Sequence, residues 1–343
     1  MVSGELNFAK GNLEAQKMCY NFFMFFYVLL FIISCFFLVI SGNWLVKSLS
    51  GIAEFLGLKR FTVAFLLMSF ATAMPELLVG ISSALRGVPE LSLGNIIGQN
   101  IIHFTVAVFL CVIIGGSFYV RSKTIRTTAF FSGFMALFPL LLILDGSLSR
   151  IDGVILIGLF LVYVFRMLKN GKRFDENYDN QKDKQEVTFI KKVGLFFSNL
   201  GRFTLGSLVL VLSAQGLVKS AMFFAEKLNV PLVIIGVLII GLGTALPEVA
   251  FSAFSANKKD GELMAGSLLG STVVSTSLVL GLVAIISPIT GISFFSFFLS
   301  RLILFLSVLL FIFFMLTDHK ISRKEGVVLI GLYLVFVLTE ILI

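Results

Sequence analysis

The sequence predicts an all-α, polytopic membrane protein of ten transmembrane helices arranged as two inverted five-helix repeats. Three observations carry that reading: a hydropathy far above that of soluble chains, apolar stretches long enough to cross a bilayer, and an internal repeat. Apolar residues make up 58% of the chain, with 39 Phe, and the mean hydropathy is +1.03. A soluble core needs much less. No alternation of apolar and polar residues recurs in ten-residue segments, as a barrel requires, so the spans are helical.

Stretches of about 20 apolar residues, the length a helix needs to cross the hydrocarbon, occur in order along the chain. The first five run roughly Phe22 to Asn43, Phe61 to Leu85, Leu91 to Ile114, Thr128 to Leu144 and Gly153 to Leu168. The second five run roughly Leu205 to Phe224, Val230 to Ala256, Leu263 to Ile286, Phe294 to Leu316 and Glu325 to Ile343. The first is longer than a signal-peptide core and has no small-residue cleavage site after it, so it reads as a retained helix behind a polar lead-in. The Phe-rich run "FFMFFYVLLF", Phe22 to Phe31, reads as surface facing lipid.

An offset of 172 residues, as from Glu76 to Glu248, superimposes the two halves without a gap over about sixty residues. "LVKS" at Leu45 to Ser48 falls on "LVKS" at Leu217 to Ser220, and Thr72, Ala73, Pro75 and Glu76 fall on Thr244, Ala245, Pro247 and Glu248. Five spans separate equivalent positions. An odd number makes the second copy enter the bilayer in the opposite sense, so the repeats are inverted. Residues 1–168 form the first repeat, 169–200 a polar linker and 201–343 the second repeat. The linker contains "NGKRFDENYDNQKDKQE", Asn170 to Glu186, dense in charge as exposed connectors are.

The net charge of +8 does not point to nucleic acid, because its placement follows the membrane. With the N-terminus outside, basic residues crowd the inner loops and the linker, while the outer side holds only Lys10, Lys17, Arg86, Arg150, Lys227 and Arg301. This positive-inside bias places both termini outside and the linker inside a cell membrane. Cys19, Cys35 and Cys111 lie in or beside spans and form no disulfide framework. No HExxH, GxSxG, Walker A or paired-cysteine metal spacing occurs, so no enzyme and no resident cofactor is expected.

Two apolar spans carry a proline and a carboxylate side by side: "ATAMPEL" at Ala71 to Leu77 and "GTALPEV" at Gly243 to Val249. Proline lacks the amide proton, and its ring presses on the carbonyl four residues back, so Pro75 and Pro247 are expected to kink or open their helices. Freed backbone groups inside a bilayer are tolerated only where they line a protein-buried or watered cavity. Glu76 and Glu248 each cost several kcal/mol in the bilayer unless paired. Neither span offers a Lys or Arg at mid-depth, so a bound cation or a proton must neutralise them.

Thr72 and Thr244 lie one helical turn before each Glu on the same face. Two carboxylates, two hydroxyls and local carbonyls form an all-oxygen set suited to Ca²⁺ or Na⁺ and unsuited to soft transition metals. The following helices supply the walls. Gly94 and Gly98, with Gly266 and Gly270, give faces of small residues that let backbones approach. Gln99 and His103 share one face in the first half, Ser271 and Ser275 in the second. Inverted repeats with interrupted helices at matching positions are the pattern of a secondary transporter whose site lies between the copies.

The stretches Ala71 to His103 and Gly243 to Ser275 resemble the alpha repeats of the sodium/calcium exchanger, or cation/Ca²⁺ antiporter, superfamily, in its compact prokaryotic form. The family strings are G-T-S-x-P-E-like and G-N-x-x-G-S-N-like, and the resemblance covers essentially the whole chain. It implies that Glu76 and Glu248 coordinate transported Ca²⁺ and share Na⁺ sites, with Thr72 and Thr244 beside them. Where the family supplies a Ser and, one turn on, an Asn or Asp, this chain has Gln99 and His103 in one half and Ser271 and Ser275 in the other. The family Ser after the Thr is Ala73 and Ala245 here. These departures remove oxygen ligands and introduce an imidazole, a side chain able to carry a proton.

The expected function is therefore secondary antiport of Ca²⁺, or a similar cation, against Na⁺, with inorganic cations and the lipid bilayer as partners and no nucleic acid. Two alternatives stay open: a proton-coupled exchanger using His103, and a non-transporting member acting as a membrane scaffold or sensor.

Overall fold

The chain folds as an all-helical bundle in a computed structural model that describes residues 2–55, 68–119, 123–171, 189–257, 261–292, 297–318 and 320–342. The greater part of the expected linker, residues 172–188, lies outside the described residues, as does the start of the second expected span. In chain order the first half comprises α1 (Val2–Phe55), α2 (Met68–Thr72), α3 (Met74–Leu85), α4 (Glu90–Ile102), α5 (Val108–Gly115), α6 (Lys123–Leu142) and α7 (Arg150–Gly171). The second half comprises α8 (Phe189–Leu228), α9 (Leu232–Ile235), α10 (Gly241–Asn257), α11 (Gly261–Val273), α12 (Leu280–Ile286), α13 (Phe298–Asp318) and α14 (Arg323–Leu342).

Among the described residues, seven helical segments are long and apolar enough to cross a membrane. They are Phe22–Leu49, Glu90–Gly115, Ile125–Asp145, Arg150–Lys169, Gly194–Leu228, Gly266–Ile286 and Phe298–Thr317. Met74–Leu85 and Leu232–Leu246 are shorter apolar helices, the first because the chain breaks into a turn at Ala73 between α2 and α3. The run Phe22–Phe31 begins with Phe22, Phe23, Phe25 and Phe26 exposed on the outer surface of α1. This is the apolar exterior that lipid contact demands and water does not tolerate.

The helices sort into a centre and a periphery. At the centre, α4 packs on α3, on α9 and α10 and on the turn between them, while α11 packs on α2 and α10. Every residue of α4 from Leu91 to Ile102 is buried. Around it, α6 and α13 pack together, α7 lies on α12, and α14 lies on α5. Their core runs through Phe104, Phe297, Phe311 and Phe336. α1 and α8 form a separate long pair, joined by Leu38 and Leu45 against Leu210, Leu217 and Val218. Tyr27 and Phe223 stack at 4.0 Å across it.

Glycine sets how closely the central helices meet. A Cβ at Gly94 would overlap the carbonyl of Val233, one at Gly98 the carbonyl of Val237, and one at Gly270 the hydroxyl of Ser69. At Gly94 and Gly98 backbone touches backbone, as small-residue faces allow.

Among the described residues, three π-helical turns interrupt the central helices: His103–Ala107 between α4 and α5, Gly236–Ile240 between α9 and α10, and Val274–Val279 between α11 and α12. A π turn loosens the backbone ladder and is frequent at functional sites. Hydroxyls offset the loosening in two of them: Thr105 donates to the Ile101 carbonyl, and Ser277 to that of Val273. Among the described residues, two short antiparallel clips tie the loops, Phe118 with Ile321 and Tyr119 with Lys320 in one, Leu148 with Ile289 in the other.

Candidate cation site

The break at Ala73 decides where Glu76 sits. Pro75 cannot donate to Ala71, and it occupies the first turn of α3 with Glu76 beside it. The free amide ends of a first turn favour negative charge, so the sequence that breaks the helix also prepares a place for the carboxylate. In the second half the backbone differs. α10 runs as one helix through residue 247, and the irregularity falls about two to three turns earlier, in the π turn Gly236–Ile240. Glu248 therefore projects from the middle of a helix.

Both carboxylates are buried, Glu76 at 0% and Glu248 at 1% exposure. Gln99, in the last turn of α4, lies between them. Its Nε2 donates to Glu76 Oε1 at 2.7 Å and to Glu248 Oε2 at 3.0 Å. His103, one turn further on, brings Nε2 into direct contact with Glu248 Oε2. Its other nitrogen, Nδ1, is 3.0 Å from the Thr272 hydroxyl.

The structure thus brings together four residues that the sequence singles out: Glu76, Glu248, Gln99 and His103. Thr244 adjoins them, one turn before Glu248; its hydroxyl donates to Asn95 Oδ1 at 2.8 Å. Thr72, Ser271 and Ser275 are buried but turn back on their own helices, donating to the carbonyls of Ser69, Leu268 and Thr272. Hydroxyl back-bonding of this kind is common within apolar helices.

Two contributors escape the sequence reading. Asn95 follows Gly94 and stands one turn before Gln99, so the four-residue spacing that links Gln99 to His103 also reaches it. Thr272 carries no comparable local signal, because its pairing with His103 spans 169 positions.

Several buried polar atoms in this cluster have no hydrogen-bond partner: Glu76 Oε2, Glu248 Oε1, Gln99 Oε1, Asn95 Nδ2 and His103 Nε2. Three of the five are oxygens. Such orphaned acceptors are costly in a dry interior and are the atoms a hard cation satisfies. No group of three or more His, Cys, Asp or Glu poised for a metal ion occurs among the described residues. The donor set is two carboxylates with amides and hydroxyls, and it fits an oxygen-seeking cation as cargo better than a resident transition metal.

A sodium/calcium exchanger protein family model matches the chain twice, over residues 26–169 and again over residues 198–342. Among curated relatives, sodium/calcium exchanger MaX1 of Methanosarcina acetivorans is 25% identical, the match covering 90% of this chain and 96% of that protein. Putative antiporter CaxA of Alkalimonas amylolytica is 26% identical over 73% of this chain and 78% of its own length. Among solved structures, the sodium-calcium exchanger NCX_Mj soaked with 10 mM Na⁺ and zero Ca²⁺ superposes with a TM-score of 0.62 at 22% identity, covering 92% of this chain and 98% of that one. The fold is that of a membrane exchanger, and the two family-model matches together span most of the sequence. The chain belongs to the sodium/calcium exchanger protein family.

Proposed function

We propose that the protein is a secondary antiporter that exchanges Ca²⁺, or a closely similar cation, for Na⁺ by alternating access. The observation that carries this reading is the meeting of Glu76 and Glu248, drawn from separate halves of the chain and bridged by one amide in a buried cluster of oxygens. Together they balance one divalent charge. Thr244 and Asn95 flank the pair, and α4 and α11 wall it. Alternating access asks that exposure of this site switch between the two faces of the membrane while the site itself stays near the midplane.

In the architecture we propose, ten spans form two inverted five-helix repeats, 1–168 and 201–343, joined by an inner linker. Support comes from the doubled family match and from the π turns His103–Ala107 and Val274–Val279, which fall at nearly the same offset as Glu76 and Glu248. α1 and α8, packed mainly on one another, are the elements suited to slide past the central helices. The charge bias favours termini outside and linker inside.

His103 against Glu248 favours a second reading in which H⁺ is the coupling ion. Reconstituted ⁴⁵Ca²⁺ uptake with Na⁺ and pH gradients applied one at a time separates the two. Uptake driven by Na⁺ alone supports the first. Uptake driven by pH and indifferent to Na⁺ replaces it with the second, and no uptake under either gradient removes antiport and leaves a membrane scaffold.

A further inference from the structure

Gln99 stands where the family string has a small hydroxyl residue, and it does something a hydroxyl cannot. An amide nitrogen carries two N–H groups and no acceptor. Here one group serves Glu76 Oε1 at 2.7 Å and the other Glu248 Oε2 at 3.0 Å. A point from which one donor reaches both carboxylates is also the point a bridging cation needs. The neutral amide and the cation therefore compete for the same two oxygens.

The opposite end of the amide is equally informative. Gln99 Oε1 is buried and has no hydrogen-bond partner, so the side chain leaves its acceptor unsatisfied in order to turn its donor inward. With only carboxylates in front of it, an inward Oε1 would set three acceptors against one another. With a cation in front of it, an inward Nε2 would set N–H dipoles against a positive charge. Rotation about the last side-chain bond exchanges the two ends without changing the volume filled, and that terminal torsion is soft.

We propose that Gln99 is a specificity-determining residue that acts as a tethered competitor. Its amide holds Glu76 and Glu248 together when no cation lies between them, and a cation binds by displacing Nε2 and turning Oε1 toward itself. This rests on the antiport reading. Glu248 keeps a partner in His103 when the amide leaves; Glu76 Oε1 gives up its 2.7 Å bond and takes the cation instead. The competitor weakens binding and speeds release, which suits a carrier that must let its cargo go on each cycle.

The test is ⁴⁵Ca²⁺ uptake by full-length protein in proteoliposomes, comparing wild type with Gln99→Ser. Serine removes the bridging NH₂ and retains an oxygen. The apparent KM for Ca²⁺ should fall about tenfold, the worth of one charge-assisted hydrogen bond, and kcat should fall with it as release slows. Gln99→Asn, too short to reach both carboxylates, should move KM the same way and serves if the serine variant does not accumulate as a monodisperse protein. An unchanged or raised KM in the variant measured makes Gln99 a plain ligand or a packing residue and overturns the proposal while antiport stands. Absence of uptake by the wild type under both Na⁺ and pH gradients overturns both.

Discussion

Thr244 donates its hydroxyl to Asn95 Oδ1 at 2.8 Å, linking α10 to α4 beside the two carboxylates. The carbonyl of Ile240 lies 3.2 Å from the same hydroxyl as a second acceptor. Without Asn95 the threonine falls back on its own helix, as Thr72 does with Ser69. Asn95→Ala and Thr244→Ala should therefore each weaken Ca²⁺ uptake, and the double variant should lose less than the two single losses combined. A double-mutant cycle on apparent Ca²⁺ affinity should show coupling of about 1 kcal/mol. Strict additivity would show that the bond does not support the site.

Neutralising either carboxylate tests the site itself. Gln has nearly the volume of Glu, so Glu76→Gln and Glu248→Gln should fold, and each removes half of the charge that balances a divalent cation. Loss of one partner from a buried charge pair costs about 3 kcal/mol, or about a hundredfold in binding. Ca²⁺ uptake should fall by at least that factor in both variants. Uptake retained in either one would place the cation elsewhere.

Close approach of the central helices can be read from stability rather than transport. At Gly98 an added methyl overlaps the backbone of Val237, whereas at Gly158, on α7, nothing lies within 4 Å. Gly98→Ala should lower stability by about 1–3 kcal/mol, the usual cost of overpacking. Gly158→Ala should change it by less than about 1 kcal/mol. Thermal unfolding in detergent compares them, and equal midpoints would mean that the crossing at Gly98 has room to spare.

Local chemistry explains what the sequence reveals of this molecule and what it hides. Stretches of about 20 apolar residues mark most helices because the bilayer sets their length, and the burial of Glu76 and Glu248 follows from their place in such stretches. Proline at 75 marks the break at Ala73 because a missing amide proton is a local fact. The π turns are not legible, since an extra residue in a helical turn is decided by what packs against it. The same holds for the partners of Gln99 and His103. Gln99 reaches Glu248 across 149 positions, and only the crossing of α4 with α10 determines that its amide faces two carboxylates.

The break before α3 makes a last prediction possible. Alanine at position 75 restores an N–H that can bond to the Ala71 carbonyl, so α2 and α3 can join into one helix from Met68 to Leu85. That bond adds about 1 kcal/mol, and Pro75→Ala should be at least as stable as the wild type in thermal unfolding. Transport should suffer all the same, because Glu76 would no longer sit at a helix N-terminus, whose unpaired amides and dipole favour its charge. Pro247→Ala should matter less, because the backbone of α10 is already helical through that residue. Ca²⁺ uptake by the two variants under one fixed gradient decides the matter. If Pro75→Ala transports as well as wild type, the break is held by packing rather than by proline, and the N-terminal placement of Glu76 is not what the site depends on.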